Sequence, residues 1–355
     1  MDLPRIRVLY LLRNYPLVCE TYIQAEIDAL GSRYEVRVAS QHALGDALEY
    51  AENPAPWRIV KRIEDVHDEV RRFKPHALHM HWLLDAALLL TVARHHSLPF
   101  TVRAHSFDTL PSPYMAHWFQ EAPQALREMA RDPLCRGILA FPFSRPFLES
   151  CGVPPEKIHD CRPPVDIRRF LDRAPNGEGV LNVGACLPKK DLGQYVELAA
   201  RFPSMRFDLY PVGYDTRSIE ALNQSRGSPV RIHRCVRHRE MPAVYKAHQW
   251  LVYTASHELR NVGWPVAVAE AQASGCGVAM ANLRPDLRDF VGEEAILFDR
   301  LDDLAGIIDR PVPPAMREAG FAKAMESDVN AQIGGLTGLW PATAVTTEGA
   351  LPTPR

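Results

Sequence analysis

The chain has 355 residues, 46% of them hydrophobic and 24% charged, with a formal net charge of −2. That length exceeds one ordinary hydrophobic core and points to two domains, and the composition is that of a globular protein rather than a disordered or membrane-spanning one. Near-neutral charge excludes a blanket attraction to nucleic acid but leaves open a local basic patch for a small anion such as a sugar nucleotide.

The N-terminal MDLPRIRVLYLLRNYP runs into a strand-like segment without the basic start, apolar stretch and small-residue cleavage site of a signal peptide. RIRVLYLL, YEVRVAS, HALHMHW, FTVRAHS and GILAFPFS read as strands. The segments between them read as helices; in CETYIQAEIDAL, Ile23, Ile27 and Leu30 recur at helical spacing. The most apolar run, WLLDAALLLTVA, is too short to span a bilayer and carries Asp85. Seven cysteines, an odd number without a C-x-x-C pair, argue for reduced thiols. The expected location is therefore cytoplasmic, with no transmembrane segment and with peripheral membrane contact left open.

After RPPVDIRRF, the segment LDRAPNGEG has the composition of a hinge or linker. The rhythm then restarts with VLNVGA, RFDLYPV, VRIHRCV, WLVYTAS, GVAMAN and AILFD. This α/β alternation predicts two Rossmann-like parallel-sheet domains facing across a cleft, over residues 1–170 and 171–312. Residues 313–335 are helical in pattern and are expected to cross back to the first domain, and residues 341–355 read as a flexible tail.

Ligands of open parallel sheets bind beyond the C-terminal strand ends, so motifs at those loops carry most weight. In VLNVGACLPKKDLGQYVELAARF a strand leads through Gly184 into a helix, with Lys189 and Lys190 at the turn. Only seven of the chain's 41 basic residues are lysines, so two in succession here are notable. The segment reads either as a phosphate cradle or as a solvated helix cap. In GWPVAVAEAQASG, Pro265 suits the first helical turn and Glu270 lies a little over one turn in, among small residues. Its carboxylate needs donors, either the vicinal hydroxyls of a sugar or one of the many arginines.

YPLVCETYIQAEIDAL, FTVRAHSFD, PPVDIRRF, NVGACLPKKDL and GWPVAVAEAQASG resemble, in order and spacing, the motifs of the family 4 retaining glycosyltransferases, which have the GT-B fold. The resemblance covers roughly residues 6–300. It implies metal-independent transfer of a sugar, with retention of configuration, from a nucleotide donor held by the second domain to an acceptor on the first. That acceptor is a carbohydrate, a lipid-linked sugar or a small molecule. Lys190, helped by Lys189 and by backbone N–H groups near Gly184, matches the diphosphate-neutralising group, Glu270 the ribose holder, and His105 the histidine beside the transferred sugar. Asn261, Val262, Gly263, Trp264 and Pro265 fall in the donor loop, and Glu20, Thr21 and Asp108 on the acceptor side. No D-x-D triplet of the kind that holds a cation is present, no cofactor is implied, and the nucleoside diphosphate's departure is a step that preorganised positive charge assists.

The sequence departs from the family at three places. Ala185 stands where an arginine usually meets the diphosphate, Asp191 where a glycine follows the lysine, and Val262 where the first of two glutamates, eight apart, is usual; Glu258 and Asn261 lie just upstream. These departures keep two alternatives in view: a degenerate, non-catalytic GT-B protein that binds a nucleotide or a partner protein, and a GT-B phosphorylase or epimerase. The histidines of HMH at 79–81 and HH at 95–96 lack further local ligands for a metal, and Cys19, Cys186 and Cys276 lack a local base, so structural roles are expected for all of them.

Overall fold

Short apolar runs separated by amphipathic helices satisfy their backbone groups as two parallel sheets in the computed structural model, which describes residues 5–43, 52–211 and 215–342. The first sheet comprises β1 (Ile6–Asn14), β2 (Tyr34–His42), β3 (Trp57–Ile59), β4 (Ala77–His81), β5 (Phe100–Arg103), β6 (Cys135–Ala140) and β7 (Ile158–Asp160), in the order β3-β2-β1-β4-β5-β6-β7. The second comprises β8 (Val180–Gly184), β9 (Phe207–Pro211), β10 (Arg231–Ile232), β11 (Trp250–Tyr253), β12 (Gly277–Ala281) and β13 (Ile296–Phe298), in the order β10-β9-β8-β11-β12-β13. β3 and β7 lie outside the five runs expected for the first sheet; each is a three-residue edge, too short to carry a period. All five residues of the interior strand β12 are buried, as a sheet covered on both faces requires.

Strand order reverses between β1 and β4 in one sheet and between β8 and β11 in the other. At such a switch point the connections leave in opposite directions and open a crevice at the C-terminal strand ends. Two crevices of this kind face each other here.

The segment 171–179 is bonded to the second domain. Lys246 Nζ donates to the carbonyl of Asp172 at 2.8 Å, Asn176 Nδ2 to that of His248 at 2.9 Å, and the Gly177 N–H to that of Lys246 at 2.9 Å. Residues 313–335 form two helices rather than one. Pro314–Met325 packs on Val266–Ala273, and Val329–Thr337, whose N-cap Asp328 accepts from the Asn330 N–H, lies against Thr21–Ala29. Leu336 and Trp340 are buried among Ile6, Val8 and Tyr10, and Trp340 Nε1 donates to Thr101 Oγ1 at 3.0 Å. The chain thus passes between domains twice, and the passages are hydrogen-bonded together: the Val165 N–H donates to Ser327 O at 3.0 Å and the Val329 N–H to Val165 O at 2.8 Å. The expected tail lies, from residue 343 on, outside the described residues. Among the described residues no helix is long and apolar enough to cross a membrane.

Candidate functional site

The facing crevices enclose a cavity of about 640 Å³. The first domain lines it with Glu20, Thr21, Trp82 and His105, and the second with Gly184, Lys189, Lys190, Asn261, Val262, Gly263, Trp264, Pro265 and Glu270. Its volume is that of a site for a drug-sized or nucleotide-sized ligand.

At the second domain's wall of the cavity, β8 stops at Gly184, whose φ lies outside the left-handed region. A Cβ at this position would meet nothing closer than Asn182 Oδ1 at 4.0 Å, so the glycine leaves the backbone open to the cavity. A 3₁₀ turn, Pro188–Lys190, carries both lysines and precedes the helix Leu192–Arg201. Two groups beyond β11 grip this turn: Thr254 Oγ1 donates to the Lys190 carbonyl at 3.0 Å, and the Ser256 N–H to that of Lys189 at 3.0 Å. Lys190 Nζ sits 4.5 Å from the Tyr253 ring centre, and Lys189 Nζ reaches across the cleft to 5.7 Å from that of Phe107. Burial, and then the Lys189 charge beside it, push the Lys190 ammonium down to about 7; burial also lowers Lys189. Two crowded lysines without a carboxylate partner among the described residues are what an anion would relieve.

Asp191 adopts the left-handed conformation, φ 44° and ψ 53°, which an aspartate tolerates and a glycine adopts without strain. Its carboxylate accepts from Gln194 Nε2 at 2.5 Å and does not line the cavity. The carboxylate is therefore turned away from the cavity.

The helix Val266–Ala273 presents Glu270, which is only 4% exposed. Pro265 is its N-cap rather than part of its first turn. Alanines at 267, 269, 271 and 273 let the helix pack closely while the carboxylate reaches the cavity. Its donors are not arginines: Tyr245 Oη donates to Oε2 at 2.7 Å, and His238 Nε2 lies 3.2 Å from Oε1. Burial and the neighbouring carboxylate hold the Tyr245 phenol well above its ordinary value, so it remains a donor. Each carboxylate oxygen keeps lone-pair capacity for a ligand hydroxyl.

The loop 261–265 lies against the first domain. A Cβ on Gly263 would sit 2.8 Å from Ser106 Cβ, so glycine here serves close approach of the two domains. Val262 contributes an apolar wall, and its carbonyl accepts from Arg284 Nη1 at 2.6 Å. Trp264 is fixed by Nε1 donating to Asp286 Oδ2 at 2.9 Å and by stacking on Phe290. Asn261 is 2% exposed and lines the cavity, and its Oδ1 has no partner, whereas Glu258 does not reach the lining.

His105 follows β5 and is held by a chain of groups that the sequence did not reveal. Its Nε2 lies 3.1 Å from His81 Nδ1, and His81 Nε2 lies 3.3 Å from Glu26 Oε1. Tyr10 Oη donates to the same oxygen at 3.0 Å, and Arg103 Nε donates to Glu26 Oε2 at 2.8 Å. Burial opposes ionisation of Glu26, but the Arg103 charge and the histidine hydrogen bonds hold it well below the usual carboxylate range. Because ionised Glu26 only accepts, His81 carries its proton on Nε2, and His105 must then donate from Nε2 and keep Nδ1 as an acceptor. Burial, then the neighbouring His81 and Arg103, keep the His105 imidazole neutral by pushing its value well down. Trp82, at φ 71°, packs against His105 with ring centres 4.9 Å apart, a strained backbone at the cavity wall.

Two acceptor-side expectations part company. Glu20 lines the cavity with Oε2 buried and unpartnered, and burial pushes its carboxyl up to about 8, so it is a protonated donor near neutrality. Asp108 is fully buried and does not line the cavity. Its Oδ1 accepts from the His105 N–H at 2.7 Å and its Oδ2 from the Leu83 N–H, so it braces the turn that carries His105. Such a brace and a ligand contact look alike in sequence, because both place an aspartate in the turn just after a strand, here three residues beyond His105.

No protein-family model matches the chain, and no curated protein matches it by sequence. Solved structures do match it in fold. The Anabaena protein HepE in complex with UDP-glucose is 14% identical, with a TM-score of 0.72 over 94% of this chain and 100% of that one. Sucrose-phosphate synthase from Thermosynechococcus elongatus is 14% identical, with a TM-score of 0.71 over 94% and 98%. WaaG, a glycosyltransferase involved in lipopolysaccharide biosynthesis, is 13% identical, with a TM-score of 0.68 over 94% and 100%. The chain has the GT-B fold, two Rossmann-like parallel-sheet domains facing across a cleft.

Proposed function

We propose that the protein is a retaining, metal-independent glycosyltransferase of the family 4 type, which transfers a sugar from a nucleoside-diphosphate donor to an acceptor hydroxyl. One observation carries this reading: a single cavity, built at two facing switch points, holds a crowded lysine pair beside an open glycine and a braced carboxylate on the same domain. HepE, a fold neighbour crystallised with UDP-glucose and with UDP, supports a uridine donor as the first to try.

In this reading Lys190 and Lys189 take the diphosphate, Glu270 the ribose hydroxyls, and the neutral His105 positions the sugar from the opposite wall. The bond from the sugar's anomeric carbon to the diphosphate oxygen breaks while a bond to the acceptor oxygen forms on the same face, and the acceptor's proton leaves with the departing phosphate oxygen. Charge grows on that oxygen, where a lysine fixed in position lowers the barrier. Asn261, whose Oδ1 has no partner, stands beside Val262, where the family's sugar-binding glutamate is missing, and offers a polar contact in its place. Glu20 faces the acceptor.

Calorimetric titration with UDP, GDP, ADP and TDP, followed by Lys190→Ala and Glu270→Ala against the preferred nucleotide, tests the reading. Selective binding that both substitutions weaken supports it. A folded protein that binds none of the four refutes it. A second reading, a non-catalytic nucleotide-binding protein, draws on Ala185 in the cavity wall where the family has an arginine. Turnover of any donor eliminates that alternative.

A further inference from the structure

Two groups of three side chains bring ligand-type atoms within 4.8 Å of one another among the described residues: Glu26, His79 and His81 behind the cavity, and His67, His95 and His96 where the helices Ile63–Phe73 and Ala86–His96 meet. The first group is already committed. Arg103 occupies Glu26 Oε2, His79 Nδ1 is 2.7 Å from Thr101 Oγ1, and none of the three residues is more than 1% exposed. A cation there would have to displace a guanidinium from its carboxylate in the interior.

The second group differs on each point. His67 and His96 are part-exposed and His95 is exposed, so a cation can reach them from solvent. Their ring centres lie 4.4, 5.0 and 4.7 Å apart pairwise. The contact between His67 Nδ1 and His96 Nε2, 2.9 Å, can share only one proton. Ligand nitrogens about 2.0–2.1 Å from a tetrahedral zinc are roughly 3.4 Å apart, a spacing these rings reach by small side-chain rotations. Two adjacent histidines on one helix would ordinarily diverge by about 100°; here the helix ends immediately after them, at Ser97 with φ 53°, and both rings turn toward His67.

We propose that His67, His95 and His96 form a site for one divalent transition-metal cation of the zinc type, with its fourth position open to water. Three imidazoles suit Zn²⁺, Cu²⁺ or Ni²⁺ and do not suit the oxygen-preferring Mg²⁺ or Ca²⁺. The bound ion pins the end of one helix to the middle of another and takes no part in the chemistry of the cleft. The proposal is independent of the nucleotide reading.

The test is titration of the chelator-treated full-length chain with Zn²⁺, and separately with Co²⁺ while its visible absorption is recorded. The expected result is one Zn²⁺ per chain and a higher Tm at saturation. Co²⁺ should give the ligand-field bands of a four-coordinate site without the thiolate charge-transfer band that binding by the free cysteines would add. Loss of a mere outer-shell partner weakens metal affinity by about 10- to 100-fold, so His67→Gln, His95→Ala and His96→Ala should each weaken it by at least about 100-fold. His117→Ala, on a histidine whose side chain is 84% exposed elsewhere in the first domain, should leave binding unchanged. His95 is exposed, so its removal should leave the metal-free Tm at the wild-type value, and unaltered Zn²⁺ binding by that variant overturns the proposal. So does a Co²⁺ spectrum of thiolate type, or no binding by the wild type.

Discussion

Replacing Lys190 with methionine removes a charge whose protonation the cavity itself controls. In the nucleotide-free protein the ammonium is pushed down to about 7, chiefly by burial. A diphosphate returns it toward its ordinary value of about 10.4. Binding therefore takes up about 0.5 proton near pH 7, about 0.9 near pH 8 and only about 0.1 near pH 6. The protonated lysine is the binding form, so nucleotide affinity falls as pH rises through the free value, approaching about tenfold per unit above pH 8. Calorimetry in two buffers of different ionisation enthalpy measures the uptake directly. The Lys190→Met protein should show no such uptake, and should bind roughly 10- to 100-fold more weakly, the worth of a charge-assisted hydrogen bond of about 1.5–3 kcal/mol. Glu20, also perturbed, is present in both proteins, so the difference between wild type and variant isolates the lysine. The sign for stability follows from the same value. Between about pH 7 and 10 the unfolded chain holds a proton that the folded one lacks, so the free wild type gains stability with rising pH relative to the variant. Zero uptake between about pH 7 and 8, or equal uptake by wild type and variant, refutes the reasoning.

Glu270→Ala should abolish the preference for a nucleoside diphosphate over its 2′-deoxy analogue, measured as the ratio of their Kd values; a preserved ratio places the ribose elsewhere. Gly263→Ala should cost about 1–3 kcal/mol of stability by overpacking, seen as a lower Tm, because its Cβ falls 2.8 Å from Ser106 Cβ. Ser106→Gly in the same chain should restore most of that loss, and failure to do so would show that the two domains do not meet there. His81→Phe keeps a ring of similar shape but removes the acceptor for His105 Nε2. Its kcat should fall by at least about tenfold with little change in donor KM, and ¹⁵N chemical shifts of His105 should move away from the Nε2-protonated tautomer. Unchanged shifts would remove His81 from the positioning of His105.

The residues that carry the cavity were legible because each stands at a strand end or in the first turns of a helix, and those places show in sequence as a break between two periodicities. Gly184, Lys190 and Glu270 were found in this way, Asn261 only through the resemblance that its loop carries, and all four line the cavity. What escaped was contact between segments remote in sequence. His81 and Glu26 are 55 residues apart in sequence, and the parallel packing of β4 beside β1 brings them together behind His105. His95 and His96 lacked a third ligand in their own segment, and His67 reaches them from the neighbouring helix. Asp191 read as a departure from the family's glycine because sequence shows the residue but not its left-handed backbone, which turns its charge toward Gln194. The edge strands β3 and β7 were missed because three residues define no alternation.

The two interdomain passages, bonded to each other at Val165 and Val329, act as the spine of a book. Two adjacent, mutually bonded connections suppress twisting and sliding and leave rotation about one axis as the soft motion. Opening therefore carries the lysine turn away from His105 as a rigid page, without melting either sheet. The spine is also wired to the cavity wall: Arg162 donates its N–H to Gln332 Oε1 at 2.8 Å, pairs with Glu326, and lies 5.0 Å from the centre of the Trp264 ring. Stiffness between the domains and the hold on the loop 261–265 are thus one mechanical property, set by residues of the two passages.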